Sequence, residues 1–239
     1  MKVVRCSEHV HQLTRFAALF PMNCFLVEEE DGLTLVDSTM WSPAADVARL
    51  AGDLRLELRR VVLTHAHADH VGGVAGVRRR FPNVEISIPA RDARLLRGDR
   101  GLDPAEPQAP IKGSFAKIDW TPDRELQAGD RVASLEVVAA PGHTPGHAAL
   151  LETRSRTLIA GDAFQTRGGI AVAGVVRPLF PFVALGTWHK PTALRSAHEL
   201  RRLDPAVLAV GHGDPLPDPG RAMDQAIAVA QRTVEGAAS

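Results

Sequence analysis

Apolar positions along this chain come in short blocks with two different spacings. Residues 23–28 and 33–37 are apolar-rich runs parted by Glu30-Asp31-Gly32, whose Asp-Gly step supplies a tight turn, so the two runs predict a β-hairpin. The spacing then becomes helical. Ser42 serves as a cap and Pro43 suits the first turn; Ala44, Val47, Leu50 and Ala51 form an apolar stripe, and Gly52 fits the stop. A buried strand, Val61-Val62-Leu63, runs straight into histidines at 65–70. Beyond them Val71, Val74 and Val77 repeat at helical spacing, with Arg78 to Arg80 suited to a helix C-terminus.

The alternation continues with a strand near 84–88 and a helix near 90–97, then breaks off. Residues 98–122 hold Pro104, Pro107, Pro110 and Pro122 without any period. An irregular stretch of that length within a domain is a functional covering loop or a linker, and the covering loop is the preferred reading. Strands follow at 132–139, 148–153, 157–160 and 206–210, and helices at 193–203 and 220–234; Met223, Ile227, Ala230 and Val234 keep one face of the last. Strands mixed with helices from end to end predict one layered α/β domain over residues 1–239.

Composition narrows the function more than the fold. With 239 residues, 45% of them hydrophobic, the chain can bury a core without cross-links, so a metal would serve function rather than folding. The 28 basic and 28 acidic side chains cancel, which removes the long-range attraction that nucleic-acid and anionic-membrane binders use. A small molecule is the expected partner; the oligomeric state is left open. Met1 to Phe16 lacks the apolar core of a signal peptide, and no apolar stretch reaches the roughly 18 residues of a membrane span, so a cytoplasmic location is expected. Cys6 and Cys24 form no Cys-x-x-Cys motif and read as two separate thiols.

Metal-ligand side chains gather where predicted strands end: Thr64-His65-Ala66-His67-Ala68-Asp69-His70, Pro141-Gly142-His143, Gly161-Asp162 and Gly211-His212-Gly213. Three imidazoles and a carboxylate within six residues would each need a private hydrogen-bond partner in a core, whereas together they suit zinc, iron or manganese. His65 and His67, two apart, share a face in extended chain; Asp69 and His70 fall past the turn and point to a second position. Asp162, with two oxygens, suits a bridge between two ions. A lone histidine is most often a solvated residue, so His9, His11 and His198 are given no role; His9 and His11 lie in a polar segment with no acidic partner nearby in sequence. His147 is expected to orient its loop by a hydrogen bond, and His189 is left open.

Thr64 to Gly73, Pro141-Gly142-His143-Thr144-Pro145-Gly146-His147, Gly161-Asp162 and Gly211-His212-Gly213 resemble the metallo-β-lactamase superfamily in order and spacing over nearly the whole chain. The resemblance implies a four-layer αββα sandwich with a binuclear site on one edge. It assigns His65, His67 and His143 to a first metal, Asp69, His70 and His212 to a second, and Asp162 to the bridge. Two divalent ions are implied, zinc first, with iron or manganese also suited. Residues 161–169 and 177–182 look most like small bacterial hydrolases of the glyoxalase-II-like and lactonase-like branch. Glyoxalase-II-type thioesterases hold glutathione with basic and tyrosine side chains in an added helical region, and acyl-homoserine-lactone lactonases use an active-site tyrosine; this chain has no tyrosine.

The implied reaction is hydrolysis of a carboxylic ester, lactone or thioester by a metal-bridged hydroxide, with Asp69 as catalytic base or proton shuttle. Two rivals stand beside it: an iron-dependent oxidoreductase of the persulfide-dioxygenase kind, and a binding protein whose metals only stabilise it. Ile170 to Trp188 is strongly apolar and is either a buried strand and turn or, through Phe180, Phe182 and Trp188, a hydrophobic wall for the substrate, with 98–122 as its lid.

Overall fold

The computed structural model describes residues 1–236. Its first half builds a seven-stranded sheet in chain order: β1 (Lys2–Arg5), β2 (Val10–Arg15), β3 (Met22–Glu29), β4 (Gly32–Val36), β5 (Leu58–Val62), β6 (Glu85–Pro89) and β7 (Arg124–Leu126). Pairing is antiparallel as far as β4 and parallel from there on. Helices α1 (Ala44–Leu54), α2 (Ala68–Val71), α3 (Val74–Arg80) and α4 (Ala90–Leu96) fall between the parallel strands or follow β6.

The second half adds β8 (Arg131–Val132), β9 (Leu135–Ala139), β10 (Ala148–Glu152), β11 (Thr157–Ile159), the short ribbon β12 (Phe164–Gln165) and β13 (Ala171–Val172), α5 (Phe182–Gly186), α6 (Lys190–Arg202), β14 (Val207–Ala209), β15 (Leu216–Pro217) and α7 (Gly220–Glu235). Six of these strands form a second sheet in the order β15-β14-β11-β10-β9-β8.

The strand sequences explain the layering. Along β3, Phe25 and Val27 face the second sheet and meet Val137, Leu150 and Ile159, while Cys24 and Leu26 face the helices and join Val47, Val74 and Val77. Likewise Leu150 points between the sheets, and its neighbours Ala149 and Leu151 pack with Leu194, Leu200, Met223 and Ile227 of α6 and α7. Both faces of each central strand are therefore covered, which is why these strands read as continuous apolar runs rather than alternating ones. The result is the expected four-layer αββα sandwich. No helix among the described residues is long and apolar enough to cross a membrane.

Local details depart from the sequence reading at four places. The hairpin turn falls as expected, and Gly32 (φ +144°) is required there because a Cβ would lie 2.5 Å from the Glu57 carbonyl oxygen. However, α1 runs past Gly52, and Arg55 at φ 59° ends it, since Leu50 and Leu54 continue the stripe onto the core. Ser42 accepts only a 3.3 Å bond from the Ala44 N–H, and Pro43 holds the cap position. The helix expected through Val71 and Val77 is split into α2 and α3, because Gly72 and Gly73 lie against the carbonyls of Met40 and Ser38. The 132–139 run is a hairpin, turning at Ala133 (φ 51°). The N-terminal segment read as polar supplies β1 and β2, and β2 is buried from Val10 to Thr14. Its polar side chains are satisfied by partners distant in sequence: His11 Nε2 lies 2.7 Å from Glu28, and Gln12 Nε2 donates to the Gly213 carbonyl. Cys6 and Cys24 are unbridged.

Candidate metal centre

The four segments with ligand-type side chains all meet at one edge of the sandwich, past the C-terminal ends of β5, β9, β11 and β14. His65 and His67 follow β5, and His67 stands at the residue before α2, whose single turn presents Asp69 and His70. His143 lies between β9 and β10, Asp162 after β11 and His212 after β14. Donor atoms group as His65, His67 and His143; as His65, His70 and Asp162; and as Asp69, His70 and His212, each set within 4.8 Å. Asp162 stands centrally. Its Oδ2 is 3.3 Å from His143 Nε2 and 3.4 Å from His212 Nε2, and its Oδ1 is 3.4 Å from His70 Nε2. His212 Nε2 is also 3.2 Å from Asp69 Oδ2. All seven expected ligands are thus brought together, all but Asp69 buried.

Hydrogen bonding on the far side of each ring decides which nitrogen faces inward. The Thr64 hydroxyl donates to Asp37 Oδ2, so it accepts from His65 Nδ1–H at 3.0 Å. His70 Nδ1–H donates to Asp37 at 2.8 Å, and His212 Nδ1–H to the Pro21 carbonyl at 2.7 Å. The Thr187 hydroxyl donates to Val183, leaving it to accept from His143 Nδ1–H at 3.2 Å. His67 is reversed: Nε2–H donates to the Lys112 carbonyl at 2.9 Å. This network assigns the neutral tautomers, and in the neutral form of each ring the lone pair points at the cluster: Nε2 of His65, His70, His143 and His212, and Nδ1 of His67.

The electrostatics agree with a cation site. Burial holds His65 and His143 well below the usual histidine range and lowers His67 as well. Yet His67 Nδ1 and His143 Nε2, both with lone pairs, stand 2.9 Å apart. At His70 burial is outweighed by Asp37 and Asp162, which raise the ring well above its range, and at His212 by Asp162 and Asp69, which push it up to about 10. At Asp69 and Asp162 burial is outweighed by His212 and His70, which hold both carboxyls low. The cluster therefore seeks positive charge, from protons or from metal. His65 Nε2, His70 Nε2 and Asp162 Oδ1 are buried without a hydrogen-bond partner, which fits groups reserved for metal coordination.

Three supporting residues escaped the sequence reading or were left partly open. Asp37, fully buried after β4, accepts from His70 Nδ1, Thr64 N and Thr64 Oγ1. Asp92, fully buried in the first turn of α4, accepts from Ala66 N at 2.8 Å, Thr144 Oγ1 at 2.8 Å and Gly146 N at 2.7 Å, tying the 65–67 turn to the 143–147 loop. Burial pushes its carboxyl up to about 6. His147, neutral because burial lowers it to about 3, accepts the Asp162 N–H at 3.0 Å; it orients the central carboxylate rather than only its own loop. His189 caps α6, accepting from Thr192 N. Asp37 carried a signal, a polar Asp-Ser-Thr step directly after a strand; a lone aspartate in a helix carries none.

A cavity of about 290 Å³ opens onto the cluster, with Phe20, Met40, Phe182, Leu185, Gly113 and Ser114 beside the ligands on its wall, and no lysine or arginine among the described residues lines it. Of the three aromatics expected to face the substrate, only Phe182 does so, half exposed. Phe180 is fully buried in the core beneath, its ring 5.1 Å from that of His212, and Trp188 is buried with Nε1–H on the Ala109 carbonyl. The chain turns between them, so these two back the wall rather than form its surface. Phe20 and Met40, from loops with no period, were missed. A larger cleft of about 440 Å³ near Glu29, Arg60 and Arg154 lies at the other end of the strands, and its guanidinium groups are already paired with acids.

A sandwich of this topology with His and Asp ligands gathered on one edge defines the metallo-beta-lactamase superfamily, which matches the chain over residues 18–212, and the chain belongs to it. It is 46% identical to YobT of Bacillus subtilis (strain 168), an uncharacterized protein, across 93% of this chain and 96% of that one. It is 29% identical to the probable metallo-hydrolase YflN of the same organism, over 80% and 79% of the two chains. It is also 29% identical to the hydroxyacylglutathione hydrolase GloC of Haemophilus influenzae, over 63% and 70%. Among solved structures, the DIM-1 metallo-beta-lactamase superposes with a TM-score of 0.72 at 17% identity over 97% of each chain. A metallo-beta-lactamase from Pontibacter korlensis gives 0.71 at 17% identity over 96% and 98%. At such identities the likeness is one of fold. Family and relatives together support a metal-dependent hydrolase.

Proposed function

We propose that this protein hydrolyses an uncharged carboxylic ester, lactone or thioester with an apolar acyl group, using two divalent ions, zinc foremost. The observation that carries this reading is the cavity itself: His67, His143 and His212 with the carboxylates of Asp69 and Asp162 on one wall, His65 and His70 grouped with them behind it, and apolar side chains without a cation on the other. His65, His67 and His143 would hold one ion and Asp69, His70 and His212 the other, with Asp162 between them. When bound, such ions acidify water and polarise a carbonyl group.

The chain's own residues do the rest. Asp162 balances the positive charge at the centre and is kept in place by His147. Asp69, less buried than the other ligands and with Oδ2 on His212, is placed to take a proton from the attacking water and pass it to the leaving group. Phe20, Met40, Phe182 and Leu185 receive the acyl tail and keep bulk water from the reacting carbonyl. A wall without lysine or arginine offers nothing to the carboxylates of a glutathione thioester, which sets this site apart from the substrate that GloC's name describes.

The test is metal analysis of purified protein together with a substrate panel of acyl lactones, aryl esters, neutral acyl thioesters and hydroxyacylglutathione. Two equivalents of metal, chelator-sensitive turnover of neutral acyl substrates and weak turnover of hydroxyacylglutathione are expected. Protein that binds no divalent metal, or that prefers hydroxyacylglutathione, overturns the reading.

A further inference from the structure

The irregular segment between α4 and β7 reaches the cluster first at His67, and its hydrogen bonds there are made by backbone. The Lys112 carbonyl receives His67 Nε2–H at 2.9 Å, and two residues on, the Ser114 carbonyl receives Ala68 N–H at 2.8 Å. Between them Gly113 adopts φ +96° with its Cα so close to the ring that a Cβ would lie 2.0 Å from His67 Nε2. Phe115 pairs with His67 as an isolated antiparallel bridge, its ring 5.1 Å from the imidazole, and Arg100 covers the Phe115 ring at 4.6 Å. The segment also reaches the neighbouring ligand. Trp188 donates its indole N–H to Ala109 O at 2.9 Å and its backbone N–H to His143 O at 2.9 Å.

From this arrangement we propose that Ala109–Phe115 is a positioning strap for the His65, His67 and His143 set: the Lys112 carbonyl turns His67 so that Nδ1 is its donor atom, and ordering of the strap is linked to filling of that set alone. The inference rests on the metal reading above. A carbonyl only accepts, so it holds the proton on Nε2 and leaves Nδ1 free to bind, which fixes ring orientation and donor strength together. Rings in the other set are held elsewhere, His70 by Asp37 and His212 by Pro21. Because binding to one state of a coupled pair shifts the other reciprocally, a cation on His67 orders the strap, and a disordered strap weakens the cation.

The experiment measures zinc stoichiometry and affinity by chelator competition, and backbone hydrogen exchange with and without zinc, in the wild type, Gly113→Ala and Gly98→Ala. Gly98 has φ +86° and open space around its Cβ position, so it controls for the backbone strain of an alanine in the same segment. Wild type is expected to bind two zinc ions and to gain exchange protection across 109–115. Gly113→Ala is expected to weaken one equivalent by about tenfold or more, keep the other and lose the protection, while Gly98→Ala behaves as wild type. In a His67→Gln background, Gly113→Ala should cause no further loss. Unchanged affinities in Gly113→Ala, or exchange at 109–115 indifferent to zinc in the wild type, overturns the strap and leaves the metal reading intact. A wild type that binds no zinc overturns both. If Gly113→Ala does not fold, the wild-type exchange comparison decides alone.

Discussion

The two proposed ligand sets lie to either side of Asp162 but are supported by different parts of the molecule. His70 and His212, and from the first set His65, lean on groups next to strand ends: Asp37 after β4, Thr64 after β5, and the Pro21 carbonyl before β3. His67 and His143 lean on irregular chain, the Lys112 carbonyl in one case and Thr187 at the end of a one-turn helix in the other. The chain beside them, by contrast, is clamped from the core by Asp92, which accepts from Ala66 N, Thr144 Oγ1 and Gly146 N. Support from a sheet is stiff because every atom of it is fixed by many neighbours, whereas a loop is stabilised by few contacts and opens at lower cost. One metal position is thus expected to be rigid and the other adaptable.

Variants can be ranked by how severely they test this contrast. Asp162→Asn removes the charge shared by both sets, so turnover is expected to fall by about a thousandfold or more, the scale of losing a main electrostatic group, with metal content below two by elemental analysis. Retained turnover with two metals would remove Asp162 from the centre. Asp37→Ala leaves His70 Nδ1–H, Thr64 N–H and the Thr64 hydroxyl without their acceptor and should weaken the Asp69, His70 and His212 position by about 10- to 100-fold. Chelator competition should show a smaller loss at the other position, which Asp37 reaches only through the Thr64 hydroxyl and His65; equal loss at both would erase the contrast.

Asp92 tests the clamp through pH. Burial pushes its carboxyl up to about 6 in the fold, against an ordinary value near 3.8. The protonated form is favoured by folding, so the associated stability is full below about 4 and lost as pH rises through 6, a total of about 3 kcal/mol. Denaturant titrations of metal-free protein should show the difference between wild type and Asp92→Asn changing across that window and flat above it. A difference constant from pH 4 to 7 would mean that Asp92 does not titrate there.

Smaller effects belong outside the ligand sets. Phe182→Ala should keep both metals and lower kcat/KM for long acyl substrates about four- to tenfold, in line with roughly 0.8 kcal/mol per buried methylene, while Phe180→Ala should cost about 3 to 5 kcal/mol of stability as a core truncation. Equal stability loss in both would return Phe182 to the core. His11→Gln should leave metal content unchanged and cost about 1 kcal/mol by weakening the contact with Glu28. Loss of metal in that variant would show a longer reach of the N-terminal hairpin than its distance from the cluster implies.

What could be read from the chain alone was local. Hairpin turns, strand blocks and the six-residue run from His65 to His70 are legible because residue type and spacing act over a few bonds, and the resemblance built on those runs carried the layer order with it. Tertiary structure alone decided the facing of everything without a period. Phe180 and Phe182 differ by two residues in an irregular turn, and nothing in their spacing says that one is buried and the other lines the cavity. His11 looked solvated because its partner Glu28 lies on the adjacent strand. The support of the rings was equally hidden: Asp37 and Asp92 are single aspartates whose role depends on donors 26 to 54 residues away. Lys112 acts through a carbonyl that every residue possesses. A backbone acceptor carries no signature of residue type, so only its position in the folded molecule makes it part of the site.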